Sequence, residues 1–240
     1  MKKKIYSAGL GILLAALLLF GMYKLITSRT YQLFGGLTAS VETDEKVIAL
    51  TFDDGPTKRV DRILPLLDRY RAKATFFLIG MEMEADPEAA RSIANAGHQI
   101  GNHTYSHRRM IFKTPSYMEE EIEKTDRLIR EAGYTGEIDV RPPNGKKLIG
   151  LPFYLKRHHR ETIMWDLEPD TYYTSVPDKV NYVKKNVKPG SIILMHPMYD
   201  QTGNELAAIE GILKALSDEG YTFVTVNELQ AGKAGAGLTP

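Results

Sequence analysis

The stretch Val47-Ile-Ala-Leu-Thr-Phe-Asp-Asp-Gly-Pro-Thr57 places two adjacent carboxylates directly after a short apolar run. The run Val47–Phe52 is rich in β-branched and aromatic residues and is followed by Gly55-Pro56, which predicts a buried strand that ends in a turn. Asp53 and Asp54 therefore stand at the mouth of this strand. Asp-Asp-Gly-Pro is also typical of a simple turn, so a functional interpretation depends on partners elsewhere in the chain.

A second motif, His103-Thr-Tyr-Ser-His107, places two imidazoles four positions apart. On a helical turn these positions share one face. One carboxylate and two histidines form a three-ligand set of the kind that catalytic zinc uses, with a position left for water. The other aspartate of the pair is then free to act as a base. Thr104 stands where the His-Glu-x-x-His metalloproteases have their glutamate, so the pattern indicates another kind of metal-assisted hydrolysis.

The composition is that of one ordinary globular domain with an N-terminal addition: 240 residues, 43% hydrophobic and 25% charged. The chain has no cysteine, which excludes a disulfide scaffold and thiolate metal sites. Residues 1–30 carry five basic and no acidic residues, so the remainder carries 26 basic against 30 acidic residues. This mild acidity is not that of a nucleic-acid-binding domain. Nothing in the sequence indicates an oligomer.

The segment Ile5–Tyr23 has no charged residue and follows Lys2–Lys4. Its length, ~20 residues, is enough to span a bilayer, whereas a signal peptide has a shorter apolar region and a small-x-small cleavage site. Thr38-Ala39-Ser40 is the nearest approach to such a site. We therefore expect residues 1–27 to form an uncleaved anchor, with the lysines cytoplasmic and the domain outside. A cleaved signal peptide and a secreted protein are the alternative.

The rest of the chain divides into three parts. Residues 28–45, with Gly35-Gly36, are predicted to be a linker. Residues 46–230 form the main domain, and the Gly- and Ala-rich residues 231–240 are predicted to be a disordered tail. Within the domain, strand-like and helix-like segments alternate, which indicates a parallel α/β sheet or barrel. The predicted strands are Val47–Phe52, Thr75–Ile79, His98–Gly101, Ile138–Arg141, Thr162–Trp165, Ser191–Met195 and Tyr221–Val226.

The candidate functional residues follow or end these strands. The two aspartates follow the first strand, His103 follows the third, Arg141 ends the fourth and His196 follows the sixth. In a parallel barrel the carboxyl ends of all strands open at one face, where active sites are built. The barrel prediction therefore brings four separated motifs together.

These motifs resemble those of the polysaccharide deacetylases (carbohydrate esterase family 4, the NodB homology domain). The resemblance runs from about Val47 to Leu229. Besides the two motifs above, it rests on Arg141-Pro-Pro-Asn-Gly145 and Leu194-Met-His196. It implies a distorted (β/α) barrel that removes N-acetyl, or sometimes O-acetyl, groups from polysaccharides. It also implies that Asp54, His103 and His107 hold a divalent metal, usually zinc, and that Asp53 is the general base.

The resemblance further implies roles for four other positions. His196 is the general acid, Arg141 pairs with the base, Leu194 lines the pocket for the acetyl methyl group, and the backbone N–H of Asn144 meets the oxyanion. Asn144 stands where the family often has an aromatic residue, which puts a sugar-stacking surface in doubt.

The fourth motif departs from the family pattern. The chain reads Trp165-Asp-Leu-Glu-Pro-Asp170 without a second tryptophan and with altered spacing. We predict that Asp170 is the carboxylate that tunes His196, with Asp166 and Glu168 as alternatives.

Together the motifs and the N-terminal segment predict a membrane-anchored, extracytoplasmic, metal-dependent deacetylase. Its expected substrate is a cell-wall polysaccharide with N-acetylated amino sugars, such as peptidoglycan or a chitin-like polymer. An O-acetyl esterase of the same family acting on xylan is one alternative. A non-catalytic wall-binding module on the same fold is the other.

Overall fold

Short parallel strands surround a small group of buried polar residues in the computed structural model, which describes residues 2–236 of the chain. The strands are β1 (Leu37–Thr38), β2 (Val47–Asp53), β3 (Thr75–Leu78), β4 (Gln99–Asn102), β5 (Thr162–Ile163), β6 (Ile192–Met195) and β7 (Thr222–Val224).

Helices alternate with these strands. They are α1 (Lys2–Thr27), α2 (Val60–Arg69), α3 (Gly80–Ala85), α4 (Pro87–Asn95), α5 (Pro115–Glu131), α6 (Gly150–Arg157), α7 (Pro169–Tyr172), α8 (Val176–Asn186), α9 (Asn204–Asp218) and α10 (Val226–Ala236). Pro143–Gly145 and Pro197–Tyr199 are single 3-10 turns.

The sheet closes into a distorted barrel, which confirms the predicted fold class. The strand order is β4-β3-β2-β6, all parallel, and β7 pairs with the first half of β2. Beyond β4 the ring continues through single parallel bridges from Asn102 to Val140 and from Val140 to Thr162, and it returns to β6 through Leu167 and Ile193. The predicted strand 138–141 is therefore reduced to one residue, Val140, which forms a bridge on either side. Two prolines follow directly, and proline cannot donate a ladder hydrogen bond.

The strands bury both faces, as parallel strands do. Alternate residues of β2 point to opposite sides: Ile48, Leu50 and Phe52 pack in the main core, which includes residues of the surrounding helices. Ala49 packs in an inner cluster with Phe77, Trp165, Ile192 and Leu194, among others. The remaining inward-facing residues of β2, Thr51 and Asp53, are polar and point into the barrel interior.

The predicted linker, residues 28–45, is partly built into the fold. Strand β1 pairs in parallel with β5, and Val41 is buried and donates its backbone N–H to Gly190 O at 2.9 Å. The apolar residues Leu37 and Val41 of this segment pack in the inner cluster. The segment therefore packs against the barrel.

The predicted disordered tail, residues 231–240, overlaps α10. Residues 231–236 are helical in the structure, and residues 237–240 lie outside the described part of the chain. Leu229, which is buried, fixes the first turns of α10, and alanine favours continuing a helix.

The N-terminal helix α1 contains a 19-residue stretch, Gly9–Thr27, with a mean hydropathy of 2.1 and no burial against the rest of the chain. It is long and apolar enough to cross a membrane, although a signal sequence has the same properties. Its last turn meets the barrel where Lys147 donates its backbone N–H to Ile26 O at 3.4 Å.

Candidate active site

A buried ion pair lies at the carboxyl end of β2. Arg141 is fully buried and its Nη1 donates to Asp53 Oδ1 at 2.7 Å and to Thr51 Oγ1 at 2.8 Å. Its Nε and Nη2 donate to the carbonyl oxygens of Ile163 and Met164 at 3.3 and 3.1 Å. Burial opposes ionisation of Asp53, but nearby groups, above all the charge of Arg141, outweigh it and lower the pKa of the carboxyl below its ordinary value. Asp53 is therefore ionised at neutral pH.

Beside this pair, Asp54, His103 and His107 each present one potential ligand atom, and these atoms lie within 4.8 Å of one another. His107 Nε2 is 3.3 Å from Asp54 Oδ1 and 3.2 Å from His103 Nε2. His103 Nε2 is 3.9 Å from Asp54 Oδ1 and 3.5 Å from Asp53 Oδ2. The three groups that the sequence predicts as metal ligands thus converge on one point.

The residues of this cluster fit a metal ion. Asp54 Oδ1 is buried and has no hydrogen-bond partner among the described residues, an arrangement that is costly unless another group binds the oxygen. His103 Nδ1 lies 2.8 Å from Arg141 O, so this nitrogen carries the proton and Nε2 is free to coordinate. Burial lowers the pKa of His103, which keeps the imidazole neutral, as a metal ligand must be.

The segment His103–His107 is a loop, so the two imidazoles do not share the face of a helical turn. Thr104 has a φ of 67° and His107 a φ of 54°, both in the left-handed region. Side chains from other elements hold the loop. Asn102 Oδ1 accepts the backbone N–H of Thr104 at 2.8 Å, and Glu121 on α5 accepts that of Ser106 at 2.8 Å. The two imidazoles meet because of these bonds, not because of helical periodicity.

His196 and Asp170 form the second charged pair of the site. Asp170 Oδ2 lies 3.0 Å from His196 Nδ1 and accepts the backbone N–H of His196 at 2.6 Å. Burial alone lowers the pKa of His196, but the hydrogen bond with Asp170 and the negative charges of Asp53 and Asp54 outweigh it and raise the pKa to about 9. The imidazole is therefore protonated at neutral pH, with Nε2–H available.

Of the three carboxylates considered for this pairing, Asp170 is the one that contacts His196. Asp166 accepts hydrogen bonds from Ser191 Oγ and from the backbone N–H of Ile192, both at 2.8 Å. Glu168 accepts from Trp165 Nε1 at 2.9 Å and from Thr171 Oγ1 at 2.7 Å. Asp166 thus ties the loop to the start of β6, and Glu168 links two side chains within the loop.

The two predicted substrate-contacting residues differ in exposure. Leu194 is buried in the inner cluster, two residues before His196 on the end of β6. Asn144 is exposed, has a φ of 54°, and its Oδ1 accepts a hydrogen bond from Arg109 Nε at 3.2 Å.

Sequence reasoning missed two residues that shape the site. Thr51 orients Arg141 and donates its own hydroxyl to Ile193 O at 2.8 Å. Trp165, the single tryptophan of the chain, has its ring centroid 5.4 Å from the Arg141 guanidinium carbon. Thr51 could have been found in the sequence as a polar residue inside an apolar strand. Trp165 could have been found as the first residue of the altered fourth motif.

A family model described as polysaccharide deacetylase matches residues 40–158. A peptidoglycan-N-acetylglucosamine deacetylase of Bacillus cereus is 34% identical over 199 residues, which cover 81% of this chain and 93% of that protein. The peptidoglycan-N-acetylmuramic acid deacetylase PdaC of Bacillus subtilis is 32% identical over 198 residues, covering 81% of this chain but only 41% of PdaC.

Among solved structures, the chain is similar to the Bc1960 peptidoglycan N-acetylglucosamine deacetylase in complex with 4-naphthalen-1-yl-N-oxidanyl-benzamide. The TM-score is 0.74 at 31% identity, and the match covers 80% of this chain and 91% of that one.

The buried ion pair yields a stability prediction. Replacing Arg141 with Met leaves Asp53 buried without its cation, so we expect Arg141→Met to lower the free energy of unfolding at pH 7 by about 3–5 kcal/mol. Because the folded-state pKa of Asp53 is lowered, the pair stabilises the fold above the unfolded pKa of about 3.9 and loses this contribution as the pH falls through the folded value. Denaturant unfolding at several pH values measures both effects.

The control is the double variant Asp53→Asn/Arg141→Met, which removes both charges. It should recover part of the loss at pH 7. A double variant as unstable as Arg141→Met alone would show that the loss comes from packing and not from the unpaired carboxylate.

Proposed function

This chain belongs to the polysaccharide deacetylase family, and on that premise we propose that it is a metal-dependent hydrolase that removes N-acetyl groups from cell-wall peptidoglycan. One observation carries the proposal. The cluster of Asp54, His103 and His107 is flanked by an ionised carboxylate, Asp53, and by a protonated imidazole, His196. A base and an acid beside a metal-ligand cluster are what amide hydrolysis requires.

We assign Asp54, His103 and His107 as the ligands of the metal ion, most simply zinc. When bound, the ion supplies Lewis-acid polarisation of the acetyl carbonyl and makes a water molecule acidic enough to lose a proton near neutral pH. Asp53 accepts that proton. Its Oδ1 is engaged by Arg141, so Oδ2 is the basic oxygen.

His196 protonates the leaving amine. Its Nδ1 is held by Asp170, so the proton is donated from Nε2. The raised pKa keeps this nitrogen protonated at neutral pH. The backbone N–H of Asn144 donates to the developing oxyanion, and Leu194, on the inner side of β6, bounds the space for the acetyl methyl group.

The proposed substrate class rests on relatives that are named as peptidoglycan deacetylases. Chitin-like polymers carry the same N-acetylated amino sugar chemistry. An O-acetyl esterase needs the same ligands and base but less help from an acid, because an alkoxide leaves more readily than the amide anion that would form if the nitrogen were not protonated. The pairing of His196 with Asp170 therefore favours the amide. It also argues against a non-catalytic wall-binding module, which has no need of a tuned acid.

We further propose that α1 anchors the protein in the cell membrane, with the catalytic domain outside, where peptidoglycan lies. The support is the uncharged apolar stretch of α1 and the three lysines before it. Secretion after cleavage of the segment is the alternative.

An acetate-release assay tests the function. The purified protein is incubated with peptidoglycan fragments, chitin oligomers or acetylated xylan, each with chelator, with zinc, and with both omitted. We expect metal-dependent release from peptidoglycan fragments. Release from acetylated xylan alone would replace the proposal with the esterase, and absence of release from all three would support the wall-binding module.

The two adjacent aspartates should be separable by mutation. Asp54→Asn should weaken zinc binding, because it replaces a charged ligand with a neutral one. Asp53→Asn should keep one zinc per chain but lower the rate of acetate release by ~10²-fold or more, since it removes a base. Metal content and turnover are measured on both proteins after their folds are compared by circular dichroism. Equal loss of zinc in the two variants would mean that both carboxylates coordinate.

The role of His196 is tested with two leaving groups. His196→Ala should slow amide hydrolysis by ~10²–10⁴-fold and affect an activated aryl acetate far less, because a phenolate leaves without a proton. In the native protein the amide rate should fall as the pH rises through the pKa of about 9, since the acid loses its proton.

The matched control is His158→Ala, since His158 is exposed and stacks on Tyr154 away from the site. Similar losses on amide and aryl ester in His196→Ala would contradict a proton-donor role and indicate that His196 positions the substrate.

The anchor is tested by fractionation. The full-length chain should remain in the membrane fraction at its uncleaved mass and resist extraction by carbonate or high salt, because hydrocarbon burial is not screened by ions. The chain lacking residues 1–27 should be soluble and active, since the assigned site residues all lie after residue 52. A shortened protein in the culture medium would instead show that a signal peptide had been removed.

A further inference from the structure

Arg29 lies two residues after the end of α1, in the segment that the sequence predicts to be a linker. Its side chain reaches the loop of the altered fourth motif. Nη2 donates to Tyr172 Oη at 2.8 Å, Nη1 is 3.4 Å from Glu168 Oε2, and the guanidinium carbon is 5.0 Å from the centroid of the Trp165 ring. One side chain therefore contacts three residues of a single eight-residue loop.

The backbone that presents Arg29 is itself held in place. The carbonyl of Ser28 accepts a hydrogen bond from the Nζ of Lys147, a side chain that is fully buried. Lys147 follows the Asn144 turn directly, so the loop that carries one part of the site supports the segment that carries Arg29. A hydrogen bond from a buried lysine to its backbone is not typical of a flexible linker.

The loop that Arg29 contacts carries Asp170. Glu168 and Tyr172 flank this residue, and the short helix α7 (Pro169–Tyr172) begins after Glu168. Four residues of helix cannot hold a side chain in place unaided. Glu168 is 8% exposed, and the other hydrogen bonds to its carboxylate come from neutral donors, Trp165 and Thr171. Among the described residues, Arg29 is the cation within salt-bridge distance of this buried carboxylate, and Arg141 acts on it from farther away.

We propose that Arg29 is a positioning residue of the active site, acting through the loop 165–172 to hold Asp170 against His196. The segment that follows α1 then contributes a positioning residue to the catalytic domain. The inference rests on the proposed function, since it assigns Arg29 to the proton donor of that reaction. Arg29 also contacts Trp165, whose ring lies against the Arg141 guanidinium, but that pair has its own buried partners and depends less on Arg29.

The effect of Arg29 should depend on the leaving group. A displaced Asp170 leaves the imidazole poorly oriented, which hinders protonation of an amine but matters little for a phenolate. A residue that only stabilised the fold would affect both substrates through the amount of folded protein. The ratio of the two rates therefore separates positioning from stability.

The test uses the full-length chain in detergent, with zinc present. Arg29→Ala should lower kcat on an N-acetylated peptidoglycan fragment by about 10-fold, a part of the ~10²–10⁴-fold that a positioned acid contributes. Turnover of an aryl acetate and zinc content should change by less than about 2-fold. Arg29→Lys should restore part of the amide activity, because an ammonium can pair with Glu168 but cannot also reproduce the planar contacts with Trp165 and Tyr172.

The matched control is Arg69→Ala, which removes an exposed arginine from an ion pair with Glu210 on the far side of the fold and should leave both rates unchanged. Equal rates of Arg29→Ala and the native protein on the amide would overturn the proposal, as would equal losses on the amide and the ester. A native protein that releases no acetate would instead refute the proposed function.

Discussion

A guanidinium buried at the centre of the barrel is the constraint on which the rest of the site depends. Taking a charge out of water costs several kcal/mol unless its hydrogen bonds are made. The donors of Arg141 bond to Asp53, Thr51 and two backbone carbonyls, that of Ile163 at the end of β5 and that of Met164 directly after it. These acceptors come from two different strands, so the barrel must bring the end of β2 and the residues after β5 to one place. The side chain of Arg141 thereby specifies the geometry of the interior as well as the ionisation of Asp53.

The same residue reaches the ligand cluster through its backbone. The carbonyl of Arg141 accepts from His103 Nδ1, so the tautomer of the first imidazole is set by the residue whose side chain holds Asp53. This coupling helps to bring His103 and His107 within a few ångströms of Asp53 and Asp54, although the two motifs are some fifty residues apart. A displacement of the Arg141 turn would disturb both at once.

Much of this arrangement could be predicted from the sequence. The strands β2, β3 and β6 are short apolar runs rich in β-branched or aromatic residues, and residues at the carboxyl ends of strands meet in any parallel barrel. What failed depended on long-range contacts. The loop at His103–His107 is shaped by Asn102 and Glu121, and its sequence carries no sign of either bond. Residues 28–45 were predicted to be a linker because their glycines are evident in the sequence, whereas the pairing of β1 with β5 is not. Local sequence patterns located the site, whereas tertiary hydrogen bonds determine the conformation of its backbone.

The two charged pairs show why the site needs support from outside the family motifs. In each pair one partner sets the protonation state of the other: a guanidinium keeps Asp53 ionised, and a carboxylate keeps His196 protonated. Arg141 is held by the barrel interior and needs nothing further. Asp170 sits on a four-residue helix at the rim; its side chain is buried, but Oδ2 bonds to His196 and Oδ1 has no hydrogen-bond partner among the described residues. A pair at the rim can keep its geometry only if another element holds the loop that carries it, and in this chain the lead-in from α1 brings Arg29 to that loop.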